Sequence, residues 1–542
     1  MQIPSSSARA VSRWTFVALL TLALLPLAAR AEVKLPHIIG DNMMLQQEKP
    51  VPIWGWASPD EKVTVKFGDQ AQGATADKDG KWIVKLDPLK AGATGEMTIA
   101  GSNTITLKNV LVGEVWACSG QSNMEFGMRG AHNASVEIPK ANYPKIRLFT
   151  VKKKIAFEPQ TDCDGAWEEC TPETVGGFTA VGYFFGRDIY QALDVPVGLI
   201  HTSWGGTPAQ AWTSLEKLKS VPEFGDLVTS FETTAKNMPE LKETYEKETL
   251  PKWQEADKKW KAAKAAGEPA GSKPEPRRPN PPDLNPNLPS VLFNGMIAPI
   301  VPYAIRGATW YQGESNAGNP LQYRVLFPAM ITDWREHWGE GDFTFLFVQL
   351  ANFMARTATP TQESGGWPGL REAQSMTLSL PNTGMAVIID IGQADNIHPK
   401  DKMDVGYRLA LAAEHVAYGK DLVFSGPMYD SMSVEGDKVR VKFKSVGSGL
   451  AIAAPPSTQM SVEPESPASQ LKGFSIAGED HKFIWANAIF DGDSVVVSSD
   501  EVKDPKAVRY GWANNPSVNL YNREGLPASP FRTDNWGDPP KK

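Results

Sequence analysis

Between residues 33 and 111, hydrophobic and polar positions alternate in short runs broken by Gly, Pro and Asp. Val51-Pro-Ile-Trp-Gly-Trp, Lys62-Val-Thr-Val-Lys-Phe and Trp82-Ile-Val-Lys-Leu are typical, and Lys78-Asp-Gly-Lys reads as a hairpin turn. A period of two with closely spaced turn residues predicts an antiparallel β-sandwich, assigned to 32–111. From Gly113 the pattern changes. Apolar runs at 114–117, 146–151, 197–202, 305–310, 343–350 and 385–391 alternate with stretches at 181–193 and 323–338 whose apolar residues recur at helical spacing. Strand–helix alternation predicts an α/β domain over 112–420, a mostly parallel sheet covered on both faces. In such sheets ligands bind beyond the carboxyl ends of the strands.

Residues at about 214–289 interrupt this alternation. Charge-rich helical sequence such as Leu241-Lys-Glu-Thr-Tyr-Glu-Lys-Glu gives way to a Pro-rich stretch from Pro274 to Pro289. This reads as a helical insertion with a semi-rigid return, either a lid over the site or a solvated excursion. A helix at 402–418, ended by Gly419, precedes renewed alternation in Lys438-Val-Arg-Val-Lys-Phe and Ser494-Val-Val-Val. A C-terminal β-rich domain is therefore expected over 421–542.

Composition narrows the function. Apolar residues make up 41% and charged residues 22%, as in a packed globular protein, and the net charge of −7 argues against a nucleic-acid partner. Seventeen Trp and 12 Tyr supply flat faces of the kind that stack on sugars, although core packing accounts for most such residues. Arg9 and Arg13 precede an apolar run at 14–27, and Ala29-Arg30-Ala31 offers a cleavage site. This reads as a signal peptide over 1–31, an uncleaved anchor being the alternative, and predicts an exported protein, periplasmic or extracellular. No later apolar run is long enough to cross a bilayer, so no stable membrane insertion is expected after cleavage. Of the three cysteines, Cys163 and Cys170 are expected to be linked in an oxidising compartment, with Cys118 a buried small hydrophobe. Neither C-x-x-C nor H-E-x-x-H occurs, so the residues suggest no zinc site.

The sharpest chemical feature is Gly120-Gln121-Ser122-Asn123-Met124, directly after the strand at 114–117. A Ser on a strand-to-helix turn exposes its hydroxyl above the sheet, and it needs a His base with a third group to hold that base. Ser119 competes for the role. Asp395 and His398 follow the strand at 385–391, three residues apart, so the carboxylate can reach the imidazole. His201 is the runner-up base. It precedes Ser203-Trp204-Gly205-Gly206-Thr207, where paired glycines let backbone amides approach an oxyanion. The loop Gln312-Gly313-Glu314-Ser315-Asn316 closes the strand at 305–310 and brings a second set of donors.

Four blocks in order resemble the sialate O-acetylesterases of the SGNH hydrolase superfamily. They are Gly113-Glu-Val-Trp-Ala-Cys-Ser-Gly-Gln-Ser-Asn-Met-Glu, Ser203-Trp-Gly-Gly-Thr-Pro with Ala211-Trp212, Trp310-Tyr-Gln-Gly-Glu-Ser-Asn, and Asp395-Asn-Ile-His-Pro. The resemblance covers most of the mature chain, including Val508-Arg-Tyr-Gly-Trp. It implies an SGNH-like three-layer fold, with Ser122 as nucleophile, His398 as base and Asp395 as its orienting acid. It places the backbone N–H of Ser122 and of Gly205 or Gly206 in the oxyanion hole. The superfamily's third donor is an Asn in G-x-N-D, which this chain lacks; Gln312 or Asn316 would take its place, with Gln312 preferred. Arg371, in Trp367-Pro-Gly-Leu-Arg-Glu-Ala-Gln, is implied to contact substrate, a structural ion pair being the alternative.

The expected reaction is cofactor-free hydrolysis of O-acetyl esters on a sugar, with 9-O-acetylated sialic acid as the foremost substrate. Acetylxylan, or another acetylated polysaccharide, is the nearest rival. A glycosidase using Glu314 and Asp390, or a non-catalytic sugar-binding protein, are the remaining readings.

Overall fold

The computed structural model describes residue 1 and residues 32–266, 274–453 and 470–538. The proposed signal segment and the extreme C-terminus fall outside the described residues.

The strand Thr104–Gly120 is the spine of the molecule. Its first half pairs antiparallel with Thr94–Ala100, which leads to Lys62–Phe67 and Gln70–Thr75. Its second half sits at the centre of a parallel sheet. The order there is Thr383–Ala386, Thr344–Val348, Gly307–Tyr311, Thr104–Gly120, Val197–Ser203, Tyr143–Thr150, with Trp167–Cys170 antiparallel at the edge. The boundary expected between 111 and 112 therefore lies inside one continuous strand. The expected hairpin at Lys78-Asp-Gly-Lys is a corner instead. Gln70–Thr75 before it pairs with Lys62–Phe67, whereas Lys81–Leu86 after it joins Val51–Trp56 in a separate sheet. Ile53, Trp82 and Val84 from that pair, with Val63, Val65, Met97 and Ile99, fill the space between.

Helices cover both faces of the parallel sheet. Ala180–Leu193 and Met403–Val416 bury Phe184, Phe185, Leu409 and Ala413 on one side. Pro320–Trp338 and Gly366–Met376 bury Phe327, Met330, Trp334 and Leu370 on the other. Local chemistry sets their ends: the Thr179 hydroxyl accepts from Gly182 N–H, and Gly339, at φ 67°, terminates the long helix. The expected strand at 385–391 is shorter, because Arg408 takes the Val387 carbonyl and the Asp390 carboxylate and draws the chain off the ladder.

The insertion is helical, and Leu250–Ala265 buries no residue and carries Glu–Lys and Asp–Lys pairs one turn apart. Its Pro-rich return is held by Tyr245 and Trp253, which donate to the carbonyls of Pro279 and Pro276. The C-terminal region contains two four-stranded antiparallel sheets around Val439, Val495, Ile476 and Val508. Among the described residues, no helix is long and apolar enough to cross a membrane.

All three cysteines are free, which corrects the expected Cys163–Cys170 link. Cys170 pairs with Tyr143 at the start of one strand, whereas Cys163 adjoins Asp164, whose carbonyl binds Lys152 N–H beyond that strand's far end. An extended segment holds them apart. Burial pushes each thiol up to about 12.

Candidate active site

The sheet reverses its winding direction around Thr104–Gly120: Val197–Ser203 lies on one side and Gly307–Tyr311 on the other. The register aligns Gly120 with Ser203 and Tyr311, so the loops after all three strands open on one crevice. Gly120 adopts φ 136°, and a Cβ there would stand 2.2 Å from the Tyr311 carbonyl oxygen, so only glycine permits the turn. The chain then enters the helix Ser122–Glu125 with Ser122 at its first position.

Ser122 Oγ and His398 Nε2 are 2.7 Å apart, both half-buried. Burial, and after it the charge of Lys402, lowers the His398 pKa. Ser119 is fully buried and donates to the Thr202 carbonyl at 2.5 Å. His201 is also buried, bonds Ser203 Oγ at 2.5 Å, and is held down to about 4 by burial. Neither competitor contacts the Ser122 hydroxyl.

Asp395 departs from the expectation. It is exposed, and among the described residues no hydrogen bond or ion pair joins it to His398 or to any other group. Side-chain amides hold the loop backbone instead: His398 N–H donates to Asn396 Oδ1 at 2.9 Å, and Asn123 Nδ2 donates to the Ile397 carbonyl at 3.0 Å. Asn123 also donates to Glu314 Oε1 at 2.6 Å and accepts from Lys402 Nζ at 2.5 Å. Lys402 is fully buried between the rings of Phe126 and Tyr311, and burial lowers it to about 7 against the raising effects of Glu314 and Asp401. Burial raises Glu314, whose second oxygen has no partner. Sequence reasoning missed Asn123 and Lys402. Asn123 stood inside the quoted Ser122 block, whereas Lys402 carried no signal.

Three of the expected oxyanion donors are already engaged. Gly205 N–H donates to Glu125 Oε2 at 2.6 Å, and Glu125 is in turn paired with Lys153. Gln312 is buried, with its amide N–H groups on Asn316 Oδ1 and the Thr207 carbonyl and its oxygen accepting from Tyr323. Asn316 accepts from Ala209 N–H and donates to Gln210. These two side chains shape the 207–210 loop. Among the described residues, the backbone N–H groups of Ser122 and Gly206 find no hydrogen-bond acceptor. Gly206, at φ 77°, faces open space.

Arg371 is not at the crevice. It is fully buried and donates to the carbonyls of Leu350, Ala351, Ala513 and Asn514, clamping the C-terminal region to the sheet. Burial without a carboxylate lowers it to about 9. Arg371→Ala leaves those carbonyls bare and is expected to cost at least about 3 kcal/mol in denaturant unfolding. KM of the folded variant should stay unchanged; a raised KM at undiminished stability would restore a substrate role. Asp390 is likewise spent, in a buried ion pair with Arg408 and a bond from Tyr521, and forms no carboxylate pair with Glu314.

A family model described as carbohydrate esterase, sialic acid-specific acetylesterase, matches residues 112–243 and 292–415. The sialate O-acetylesterase of Mus musculus is 34% identical over 431 residues, covering 72% of this chain and 74% of that protein. The Homo sapiens sialate O-acetylesterase is 32% identical over 443 residues, 74% of each. A crystal structure of a carbohydrate acetylesterase from Xanthomonas citri is similar over 93% of this chain and 100% of that one, at 36% identity and a TM-score of 0.74.

Proposed function

Because the chain belongs to the sialic acid-specific acetylesterase family of carbohydrate esterases, we propose that it hydrolyses sugar O-acetyl esters through an acetyl-Ser122 intermediate. The observation that carries this reading is the 2.7 Å contact between Ser122 Oγ and His398 Nε2 at the switch point of the sheet. Ser122 Oγ attacks the acetyl carbonyl carbon while its proton passes to Nε2. The free amides of Ser122 and Gly206 receive the oxyanion. Nε2 then protonates the departing sugar oxygen, and water, losing a proton to the same nitrogen, releases acetate.

Asp395 is the proposed partner of the imidazolium. The carboxylate and His398 Nδ1 are both without a bond among the described residues and lie on one short loop. A neutral imidazole attracts a carboxylate weakly, and catalytic contacts often tighten only when charge develops. The Asn123–Glu314–Lys402 cluster fixes the loop from below.

The reading fixes a pH dependence. His398 must be neutral to accept the Ser122 proton, and its pKa is lowered, so the acid limb of kcat/KM should lie below about 6.5. Lys402→Met removes a cation that favours the neutral ring and should move that limb upward. A limb that stayed in place would remove Lys402 from the electrostatics of the site.

On the sugar side, 9-O-acetylated sialic acid is the proposed substrate, supported by the names of the relatives. The charged, apolar and small residues in order at 9–31 support a periplasmic or extracellular location. Acetate release from 9-O-acetylated sialosides should exceed that from acetylated xylan. Rapid cleavage of acetylxylan with sialosides untouched would overturn the substrate and leave the Ser122 chemistry standing.

A further inference from the structure

The antiparallel pair Val51–Trp56 and Lys81–Leu86 sends Ile53, Val84 and Leu86 into the core from one face, while on the other face Trp54 reaches the core only at its T-shaped contact with Tyr303. Its register sets Trp54 opposite Ile83 and Trp56 opposite Lys81, placing these four on the other face. The outward face of a half-buried strand is normally polar. Here two half-buried indoles and Ile83, 45% exposed, occupy it. Facing them, Val301, Pro302, Gln160 and Thr161 complete a cavity of about 470 Å³, within the size range of small-ligand sites. Trp82 also lines it, its ring lying against Gly55, where a Cβ would stand 3.0 Å from the indole.

The polar groups point to the class of ligand. Among the described residues, none of the three indole N–H groups, of Trp54, Trp56 and Trp82, has a hydrogen-bond partner, and that of Trp82 is buried. Asp77 and Lys81 stand at the same cavity, and both are exposed. Flat aromatic faces beside spare donors and a carboxylate match a pyranose ring, which is apolar on its C–H faces and rimmed by hydroxyls. No lining residue belongs to the loops that hold Ser122, Gly206 or His398.

We propose that this cavity is a non-catalytic saccharide-binding site, which retains a glycan chain on the N-terminal sheets while another part of it is deacetylated. It rests on the enzyme's acting on sugars and is independent of the roles given to Ser122 and His398.

The test uses the full chain carrying Ser122→Ala, titrated by calorimetry and tryptophan fluorescence with xylohexaose, cellohexaose and sialyllactose. At least one of these should bind. Adding Trp54→Ala and Trp56→Ala, or separately Ile83→Arg at its exposed position, should weaken that binding at least tenfold. In the Ser122 background the same changes should leave aryl acetate hydrolysis unaltered, which reports folding and separates this site from the catalytic one. Binding equal in parent and variants, or no binding of any of the three, would overturn the proposal. So would a change in sedimentation in place of lost sugar binding, which would mark the face as a contact between chains.

Discussion

Ser122→Ala is expected to abolish acetate release, lowering turnover by about 10⁴–10⁶, with the protein still folded. The hydroxyl is half-buried in an open crevice and bonded only to His398, so its loss leaves no buried group stranded. Ser119→Ala makes the contrast. Its hydroxyl lies inside the sheet and satisfies the Thr202 carbonyl, so its removal should cost about 1–3 kcal/mol of stability and leave substantial activity. Both are read from kcat on an aryl acetate together with a thermal melt. A dead Ser119 variant beside an active Ser122 variant would reassign the nucleophile.

The second large effect is expected at Asp395. If the carboxylate steadies the imidazolium, Asp395→Asn should lower kcat by about 10²–10⁴. Its side chain is exposed and bonded to none of the described residues, so the melting temperature should not move. KM should change little, because the residue acts through His398. A variant with parental kcat would leave catalysis to the Ser122–His398 pair, with the loop held through Asn123 and Asn396 alone.

The pieces of this site legible in sequence were those carried by a contiguous run after a strand. Ser122, Gly206 and His398 each follow the end of a strand of the parallel sheet, and strand–helix alternation was enough to say that those ends converge. The pieces that escaped depend on contacts between distant segments. Lys402 meets Asn123 across most of the catalytic region, and nothing in the residues around either one marks it. Gln312 reads as a free donor in the sequence, whereas Tyr323, on the following helix, donates to its oxygen and Asn316 takes its amide N–H. Arg371 illustrates the same limit. Two of the four carbonyls it binds come from a region more than a hundred residues onward, so a motif could suggest that it mattered but not what it touched. The change of texture at Gly113 was real in composition, yet it marked a change of neighbours along one strand rather than a break between bodies.

That strand also dictates the order in which the protein can assemble. The residues leading to Ser122 pair on one side with Val197–Ser203 and on the other with Gly307–Tyr311, both made long after them. Until Tyr311 has emerged, the central strand presents bare, strongly apolar edges. Contacts of such long sequence separation form late and slowly, and unpaired edges invite association between chains in the meantime. Refolding yield should therefore fall steeply with protein concentration, and the nucleophile should be among the last groups to reach its working geometry.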